Sequence, residues 1–444
     1  MNPTDRKTVL LVTPFFAPQS HAAVFRVHKL AKYLCEYGWK PIVLTVDRNY
    51  NYNEDPNLIE ELPKEVEIHR VKYVEPSLRG LRMWLGGKDR SYLQIKKSAR
   101  THLSMDSIKK KGIVEKIYHY LLAHWLWVPD PYWTWCRPAI RKGLDLIRKN
   151  NIRVIYTTCL PYTCNVIGNE LKQKSDCAWV ADFRDPATYS QTTCSQIDEV
   201  FMLQREIERM THRNADVVTG LAASYRNIFY DLYRSNKTVF IPTGVDEKLF
   251  ESQASVEALD SPYILFCGEY LKEYGDHFFK ILSQVLARPE IKSTGLKFLI
   301  VGHEEINRLW TEESIEKFNL NNSVMFRDHV SQSVLYQYIK GAKAVVLIPG
   351  RTAFWWANFA KMVDFIGLKK SVIAMVPDPS EARSELTKCG LGIFLDGDQS
   401  AQIETLVRFF TVDQDKSKIN DKECERYWAS AMTKSFVEIF EKLV

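Results

Sequence analysis

Short apolar runs alternate with amphipathic segments along most of the 444-residue chain. The first run, residues 8–13, is β-branched and as long as a strand, and residues 23–37 carry apolar side chains at helical spacing up to Gly38. Strand-like runs follow at 41–46 and 66–71. Strand–helix–strand repetition is typical of a parallel sheet. The pattern therefore predicts an α/β domain at the start of the chain.

The same alternation resumes after residue 137 and is interrupted once more, by the polar and irregular residues 247–261, which we interpret as a linker. We therefore predict an α/β chain of two doubly wound domains, residues 1–245 and 246–420, and a C-terminal helix over 421–444 that packs back on the first domain. The further strands predicted are 154–158, 178–182, 216–219, 238–241, 263–267, 296–301, 324–326, 344–348, 371–376 and 392–395.

Residues 76–135 break the alternation and carry unusual charge. Between Arg70 and Lys149 there are 18 Lys and Arg against 6 Asp and Glu, and five of the 11 Trp lie between residues 84 and 135. A basic and aromatic segment suits a surface that touches anionic lipid headgroups. A helical insertion that packs its aromatics on the domain is equally open, and nucleic acid is a third alternative that no binding motif supports.

Composition narrows the setting of the protein. Apolar residues make up 45% and charged residues 26%, as in ordinary globular chains, and the net charge is +6. The nine cysteines never form a CxxC pair, which favours free thiols in a reducing cytoplasm over disulfides or zinc. We find no signal peptide and no apolar run of about 18 residues that would span a membrane. The expectation is a cytoplasmic protein, peripheral at the inner face of the membrane.

A stretch near the C-terminal end carries candidate chemistry. Between the predicted strands 344–348 and 371–376 lies a short amphipathic helix with Lys361 and Asp364 one turn apart. Ligands of open α/β sheets bind at the carboxyl ends of strands, beside helix N-termini. Lys361 is therefore a candidate phosphate ligand and Asp364 a candidate ribose ligand, while a surface ion pair between them is the simpler alternative.

Four stretches, taken in order, resemble the GT-B glycosyltransferases of the large retaining type, which include many bacterial polysaccharide-building enzymes. They read KTVLLVTPFFAPQSHAAVFRVHKLAKYLCEYGWKPIVLT, ADFRDP, NADVVTGLAASYRNIFYD followed by VFIPTGVDEKLF, and AKMVDFIGLKKSVIAMVP. The resemblance covers nearly the whole chain and implies two facing Rossmann-like domains, with residues 76–135 as an insertion in the first.

The resemblance assigns roles in the first domain. The loop after the first strand and the neighbouring helices are implied to meet the acceptor and phosphates through Ser20, His21, Arg26 and Asn165. The ADFRDP loop is implied to supply the catalytic residues Asp182, Arg184 and Asp185. Here His21 and Ala22 stand where the family has two glycines, and Arg184 stands where it often has histidine. A plain loop histidine and a structural ion pair are the alternatives.

The resemblance also assigns donor binding to the second domain. The residues implied are Gly244, Gly268, Lys272, His303, Arg351, Lys361 and Asp364. The family's diphosphate-gripping Arg and Lys are replaced by Glu269 and Tyr274, and its first helix carboxylate by Trp356. Lys272, Arg351 and Lys361 are the substitute cations.

The resulting hypothesis is a retaining glycosyltransferase that needs neither cofactor nor metal and moves a sugar from a nucleotide-sugar to a sugar or lipid-linked acceptor in cell-surface polysaccharide or glycolipid synthesis. We discount Asp396-Gly397-Asp398 as a metal motif because Asp-Gly between strand and helix is first a turn. The departures at Glu269 and Trp356 keep open a non-catalytic scaffold subunit, and an epimerase on the same fold is a weaker third reading.

Overall fold

The computed structural model divides the chain into two compact units, Met1–Ile241 with Thr433–Val444, and Pro242–Met432. The structure describes residues 7–48, 54–78, 80–81, 113–251, 259–302, 308–349, 354–412 and 415–444. Most of the basic run in the predicted insertion, with Trp84 and Lys109 to Lys111, lies outside the described residues, as do His303 and Arg351. Each unit is an α/β layer structure, which confirms the predicted fold class.

The first unit is built on a seven-stranded parallel sheet with the order β3-β2-β1-β4-β5-β6-β7. The strands are β1 Lys7–Val12, β2 Trp39–Val46, β3 Glu67–Val71, β4 Val154–Cys159, β5 Ala178–Phe183, β6 Val217–Gly220 and β7 Thr238–Phe240. The helices are α1 Ala22–Leu34, α2 Asn57–Glu60, α3 Ile113–Leu121, α4 Trp133–Asn150, α5 Tyr162–Gln173, α6 Asp198–Asn214 and α7 Tyr225–Tyr233. The strand order reverses between β1 and β4, where open sheets of this kind bind their ligands.

The second unit repeats this design with a six-stranded parallel sheet in the order β10-β9-β8-β11-β12-β13. Its strands are β8 Tyr263–Cys267, β9 Lys297–Val301, β10 Val324–Arg327, β11 Ala344–Leu347, β12 Val372–Ala374 and β13 Gly392–Phe394. Its helices are α8 His277–Ala287, α9 Pro289–Lys292, α10 Arg308–Lys317, α11 Gln332–Gly341, α12 Ala360–Gly367, α13 Glu381–Cys389, α14 Gln399–Thr411, α15 Asp421–Glu425 and the start of α16 Ala429–Leu443. The order reverses between β8 and β11.

Strand β8 shows why the strands of the sheet read as continuous apolar runs. All five of its residues are buried. Leu265 and Cys267 belong to a core cluster on one face of the sheet, while Ile264 and Phe266 belong to a cluster on the other. A parallel sheet with helices on both faces needs apolar side chains at every position. The period-2 alternation of half-exposed strands is therefore absent here.

The predicted C-terminal helix is not continuous. It is divided into α15 and α16 by the residues around Trp428, whose backbone pairs with Val245 in an isolated parallel bridge. The end of α16 packs in the first unit, where Phe440 contacts Trp39 at 5.4 Å between ring centroids. Apolar spacing continues through the break, so periodicity alone did not reveal it.

The aromatic residues of the predicted insertion divide between core and surface. Trp135 on α4 is fully buried, whereas Trp125 is 71% exposed and Ile117 on α3 is 53% exposed. Leu122, next in the chain after α3, is buried. One face of this segment therefore packs on the unit and another presents apolar side chains to solvent. No helix in the described part of the chain is long and apolar enough to cross a membrane.

A buried ion pair joins helix α1 to strand β5 in the first unit. Asp182 at the end of β5 accepts two hydrogen bonds from Arg26 on α1, at 2.9 Å from Nε and 2.8 Å from Nη2. It also accepts from the hydroxyls of Tyr156 at 2.8 Å and Thr219 at 2.6 Å. Arg26 donates further to the Ile241 carbonyl at 3.0 Å. Both charges are out of water, so their stability depends on this set of partners.

Removal of one partner should expose that dependence. Asp182→Ala leaves the Arg26 charge buried and uncompensated, and should lower the free energy of unfolding by about 3–5 kcal/mol. The double variant Arg26→Met/Asp182→Leu replaces both charges by apolar groups and should regain most of that loss. Urea unfolding followed by tryptophan fluorescence measures both. Glu206→Ala, which breaks the exposed pair with Arg209, is the control and should cost under about 1 kcal/mol; an equal loss in Asp182→Ala would contradict the assignment.

Candidate functional site

Loops from three strands meet at the carboxyl edge of the first sheet. The loop after β1 carries Phe15 and His21, the loop after β4 carries Leu160, and Arg184 and Asp185 follow β5. These strands are neighbours in the parallel sheet, so their carboxyl ends lie side by side. The edge includes the β1–β4 reversal, and most of the residues predicted for the first domain belong to it.

His21 forms the N-cap of α1. Its Nδ1 accepts a hydrogen bond from the Ala23 backbone N–H at 3.3 Å, and its ring packs edge-on to Phe15 at 4.9 Å. Burial, together with the charge of Arg184, lowers the pKa of His21 to about 4. The imidazole is therefore neutral at pH 7, with Nδ1 as acceptor. His21 therefore caps α1 at a position where the family pattern has glycine, and its predicted contact with acceptor or phosphate stays a prediction.

Arg184 and Asp185 stand together at the end of β5. Arg184 Nη2 donates to the Leu160 carbonyl, and its guanidinium lies 5.6 Å from the centroid of the Phe15 ring. Burial raises the pKa of the Asp185 carboxyl, and the charge of Arg184 offsets part of that shift. Both residues are half-buried, so they remain within reach of a ligand at this edge. The predicted catalytic pair is accessible, although its role stays a prediction.

Three predicted site residues lie in the core instead. Asp182 and Arg26 are saturated by each other and by their neighbours, and both are buried. Asn165 is also fully buried, with its side-chain oxygen accepting from the Thr157 hydroxyl at 3.0 Å. Burial leaves these groups no surface for a substrate. The contacts observed for Asp182, Arg26 and Asn165 are structural, and their predicted roles in catalysis and in acceptor or phosphate contact stay predictions. Ser20 is half-buried in the β1 loop and stays a candidate.

The carboxyl edge of the second sheet places a lysine against a glycine. Gly268 follows β8 with φ +86°, and a Cβ built on it would lie 3.1 Å from Lys361 Nζ. The ammonium sits 4.6 Å from the centroid of the Phe266 ring. A side chain at position 268 would meet both an unfavourable backbone angle and this contact. Gly268 therefore leaves the space in which Lys361 reaches the end of β8.

Lys361 is a half-buried lysine at this edge. It has no hydrogen-bond or ion-pair partner among the residues that the structure describes, and the surface ion pair with Asp364 is not formed. Burial lowers the pKa of the Lys361 ammonium, and Cys267 and Glu269 offset part of that shift. A buried ammonium usually has a counter-charge because desolvation of a charge is costly. Among the described residues, the Glu269 carboxylate acts on this ammonium without forming an ion pair with it.

The helix that carries Lys361 adds to this positive end. α12 begins at Ala360, and Phe359 before it provides no side-chain cap. The Met362 N–H donates to the Phe359 carbonyl, so the N–H groups at the open end of the helix are those of Ala360 and Lys361. Asp364, one turn on, accepts a hydrogen bond from the Tyr336 hydroxyl at 3.1 Å. That bond fixes the carboxylate beside the helix.

Two other predicted donor ligands have clear positions. A Cβ on Gly244 would lie 2.4 Å from the Ala429 Cα, so this glycine permits two backbones to cross. Gly244 is buried at that crossing, and its predicted donor contact stays a prediction. Lys272 is exposed at the start of the 3₁₀ turn Lys272–Tyr274 and stays a candidate.

Two residues that depart from the family pattern, Trp356 and Tyr274, pack against other side chains of the second unit. Trp356 is buried, and Tyr274 packs with Phe266 and Tyr270 in an aromatic cluster.

The two carboxylates of the Asp396-Gly397-Asp398 stretch have partners within the protein. Asp396 accepts two hydrogen bonds from Arg383, at 2.9 and 2.6 Å, while Asp398 caps α14 through the Ala401 N–H at 2.9 Å. Within the described residues, no group of three His, Cys, Asp or Glu is placed to hold a metal.

The second unit also holds a cavity of about 730 Å³ at the opposite edge of its sheet, near the strand amino ends. Four lysines line it. Lys370 donates to the Lys340 carbonyl at 2.9 Å, and Lys340 donates to the Phe250 carbonyl. These ammonium groups lie where helices end, and cations there offset the helix dipole. We therefore place the candidate site at the carboxyl edge rather than in the larger cavity.

Sequence reasoning missed three residues that support the first edge. Asp130 accepts from the Thr163 N–H and hydroxyl, both at 2.8 Å. Gln204 joins two loops through its amide, and Glu208 accepts from the Thr188 N–H at 3.1 Å. Glu208 is fully buried on α6, and a Glu at a core-facing helical position is the one signal that could have marked it.

No protein-family model matches the sequence, and no curated protein matches it. Solved structures share its fold over the whole length. Sucrose-phosphate synthase of Thermosynechococcus elongatus is 14% identical with a TM-score of 0.61, covering 99% of each chain. Anabaena HepE in complex with UDP is 12% identical with a TM-score of 0.60, covering 98% of this chain and 100% of its own. A Listeria monocytogenes protein described as a UDP-N-acetylglucosamine 2-epimerase is 9% identical with a TM-score of 0.56, covering 98% and 97%.

These likenesses confirm the GT-B fold that the resemblance implied. At such identities they establish the fold and leave the reaction open, since a synthase and an epimerase both occur among the neighbours.

The His21 cap makes stability depend on pH. The pKa of His21 is lowered from 6.5 to about 4 on folding, so the unfolded chain binds more protons between these values and stability should fall as the pH drops through that window. His21→Asn keeps a side-chain cap and does not titrate. Its unfolding free energy should fall less steeply, by at most about 1.4 kcal/mol per pH unit, and solvent around the half-buried ring reduces this.

Urea unfolding at pH 4, 5, 6 and 7 measures the difference between the two proteins. His212, whose pKa burial lowers to about 3, is common to both and cancels. Parallel pH profiles would contradict the neutral cap.

Proposed function

We propose that the chain is a glycosyltransferase that moves a sugar from a nucleotide-sugar donor to an acceptor hydroxyl. The observation that carries this proposal is the buried Lys361 ammonium, which faces the end of β8 without a counter-ion among the described residues. A nucleoside diphosphate supplies the missing negative charge. The open N–H groups at the start of α12 would bind the same anion.

The proposed chemistry is electrostatic. Departure of the nucleoside diphosphate builds negative charge on its terminal phosphate, and a preoriented ammonium in a poorly solvated site stabilises that charge more than water does. Lys361 is held for this task by Gly268 and Phe266. Asp364, fixed by Tyr336, would orient the donor's ribose. A single fixed cation of this kind is compatible with a mechanism that uses no metal.

The first unit would provide the acceptor groups. Asp185, whose pKa burial raises, and Arg184 face the same edge as His21. A carboxyl with a raised pKa is suited to exchange a proton with an acceptor hydroxyl. We extend the proposal to a retaining reaction in cell-surface polysaccharide or glycolipid synthesis, on the strength of the motif resemblance alone.

Two alternatives differ in what they require of the second unit. A scaffold subunit of a polysaccharide assembly complex needs no nucleotide, so a protein that no nucleotide stabilises would favour it. An epimerase would bind the nucleotide-sugar at Lys361 but would need no acceptor. Release of free nucleoside diphosphate in the presence of an acceptor separates transfer from epimerisation.

We also propose that the protein rests on an anionic membrane surface. Exposed apolar side chains on and after α3 recur at positions that share one helical face, namely Ile113, Ile117, Tyr120, Leu121 and Trp125. Such a face beside a basic segment suits the boundary between headgroups and acyl chains. The basic residues themselves lie outside the described part of the chain.

Lys361→Met tests the donor site. It removes a buried unpaired charge, so the free protein should be as stable as the wild type or more stable. The thermal stabilisation by UDP should be lost; a ligand at 100 times its dissociation constant stabilises the wild type by about 2.7 kcal/mol. Differential scanning fluorimetry with UDP, GDP, ADP and CMP measures the shift. Lys280→Met, at an exposed lysine of α8, is the control; equal shifts in both variants would sink the assignment.

Trp125→Ser tests the membrane surface. The side chain is 71% exposed, so the substitution should leave unfolding unchanged and lower co-sedimentation with anionic liposomes several-fold. Met202→Ser replaces an exposed residue of α6 and should leave co-sedimentation unchanged. Binding that is equal in both variants, or indifferent to anionic lipid, would refute the proposed surface.

A further inference from the structure

A pocket of about 380 Å³ opens within the first unit. This volume lies within the range of about 300–1,000 Å³ that ligand pockets occupy. Its wall is mostly apolar and includes Phe15, Tyr132, Leu160, Pro161, Ile197 and Val200. Nothing in the proposed reaction accounts for an apolar pocket at this edge of the sheet.

Two buried side chains hold the walls of the pocket in place. Gln204 on α6 accepts from the Ser195 N–H and donates to the Pro129 carbonyl, both at 2.9 Å. Asp130 accepts from the Tyr132 N–H at 2.8 Å and from Thr163 on α5. Each clamp joins segments that are distant in sequence. The pocket is therefore preorganised rather than a gap between mobile loops.

One wall residue has an unsatisfied polar atom. Tyr162, which is 2% exposed, has a hydroxyl without a hydrogen-bond partner among the described residues. A buried hydroxyl that lacks a partner costs free energy, and Phe would fill the same space without that cost. A polar atom of a bound ligand would supply the missing hydrogen-bond partner of this hydroxyl.

A cation and an exposed apolar segment adjoin the pocket. Arg184 contacts two of the wall residues, through the Leu160 carbonyl and the Phe15 ring, and its buried Nε has no partner among the described residues. Ala123 and Trp127 line the pocket and continue into the exposed segment after α3. The pocket therefore has both a charged and an apolar neighbour.

We propose that this pocket binds the apolar part of an amphiphilic acceptor whose anionic group is held by Arg184. The inference rests on the proposed transfer reaction and names its acceptor class: a molecule with an apolar chain next to a phosphate, rather than a free sugar phosphate or the end of a polysaccharide. Chain atoms replace water along the apolar wall, and the anion supplies the acceptor that Arg184 Nε lacks.

The test uses n-alkyl phosphates of increasing length as probes, below their critical micelle concentrations, with isothermal titration calorimetry of the full chain. Affinity should rise about fourfold per methylene until the pocket is filled. n-Decanol and inorganic phosphate should each bind at least tenfold more weakly than n-decyl phosphate. Ala123→Trp fills the mouth of the pocket from an exposed position and should lower n-decyl phosphate affinity at least tenfold. Arg184→Gln should abolish the preference for the phosphate over the alcohol.

Ala287→Trp, at an exposed alanine of α8 in the second unit, is the matched control and should bind as the wild type does. A diazirine-bearing alkyl phosphate should cross-link to residues 123–132 or 193–204, a readout that needs no variant to fold. Affinity independent of chain length, equal binding by Ala123→Trp and Ala287→Trp, or cross-links elsewhere would overturn the inference. UDP stabilisation retained in those cases would leave the proposed function standing. Alkyl phosphate binding without any nucleotide shift would reject the transferase and keep the pocket.

Discussion

The buried pair between Arg26 and Asp182 is the constraint on which the first unit depends. Arg26 lies on α1, the helix that His21 caps, and Asp182 lies two residues before Arg184. The bidentate contact therefore sets the position of one candidate loop relative to the other. The ion pair needs the hydroxyls of Tyr156 and Thr219 as well, because a buried carboxylate is stable only when its lone pairs are occupied. The positions of His21 and Arg184 at the edge of the sheet thus depend on the buried ion pair beneath them.

The second unit treats buried charge in the opposite way. Lys361 lies against Phe266 and the bare backbone of Gly268, and it forms no ion pair with a described residue, although the Glu269 carboxylate acts on it. A cation that is paired within the protein makes the fold rigid, whereas a cation that is not paired within the protein can bind an anionic ligand. Whether a buried charge is paired within the protein therefore separates structural residues from candidate ligand-binding residues better than their spacing in the sequence does.

The fold could be read from the sequence because apolar runs and helical spacing are local signals, and both sheets formed where the alternation predicted strands. The site could be read only in part. The place of Lys361 between two strands puts it at the carboxyl edge, as predicted from the sequence. The burial of Asp182 and Asn165 could not be predicted, since a buried polar residue and a catalytic one look alike in sequence. Gln204 escaped notice because its two partners, Ser195 and Pro129, come together only through folding.

The environment of Lys361 has a chemical consequence beyond ligand binding. Desolvation lowers the pKa of its amine, so a larger fraction is neutral at physiological pH than for a lysine in water, and the neutral amine is the nucleophile. An aldehyde that carries a phosphate, such as pyridoxal phosphate, would be drawn to this site and captured there as an imine. If Lys361 binds the diphosphate as proposed, nucleotide would protect it from this covalent labelling, and the degree of protection would report occupancy.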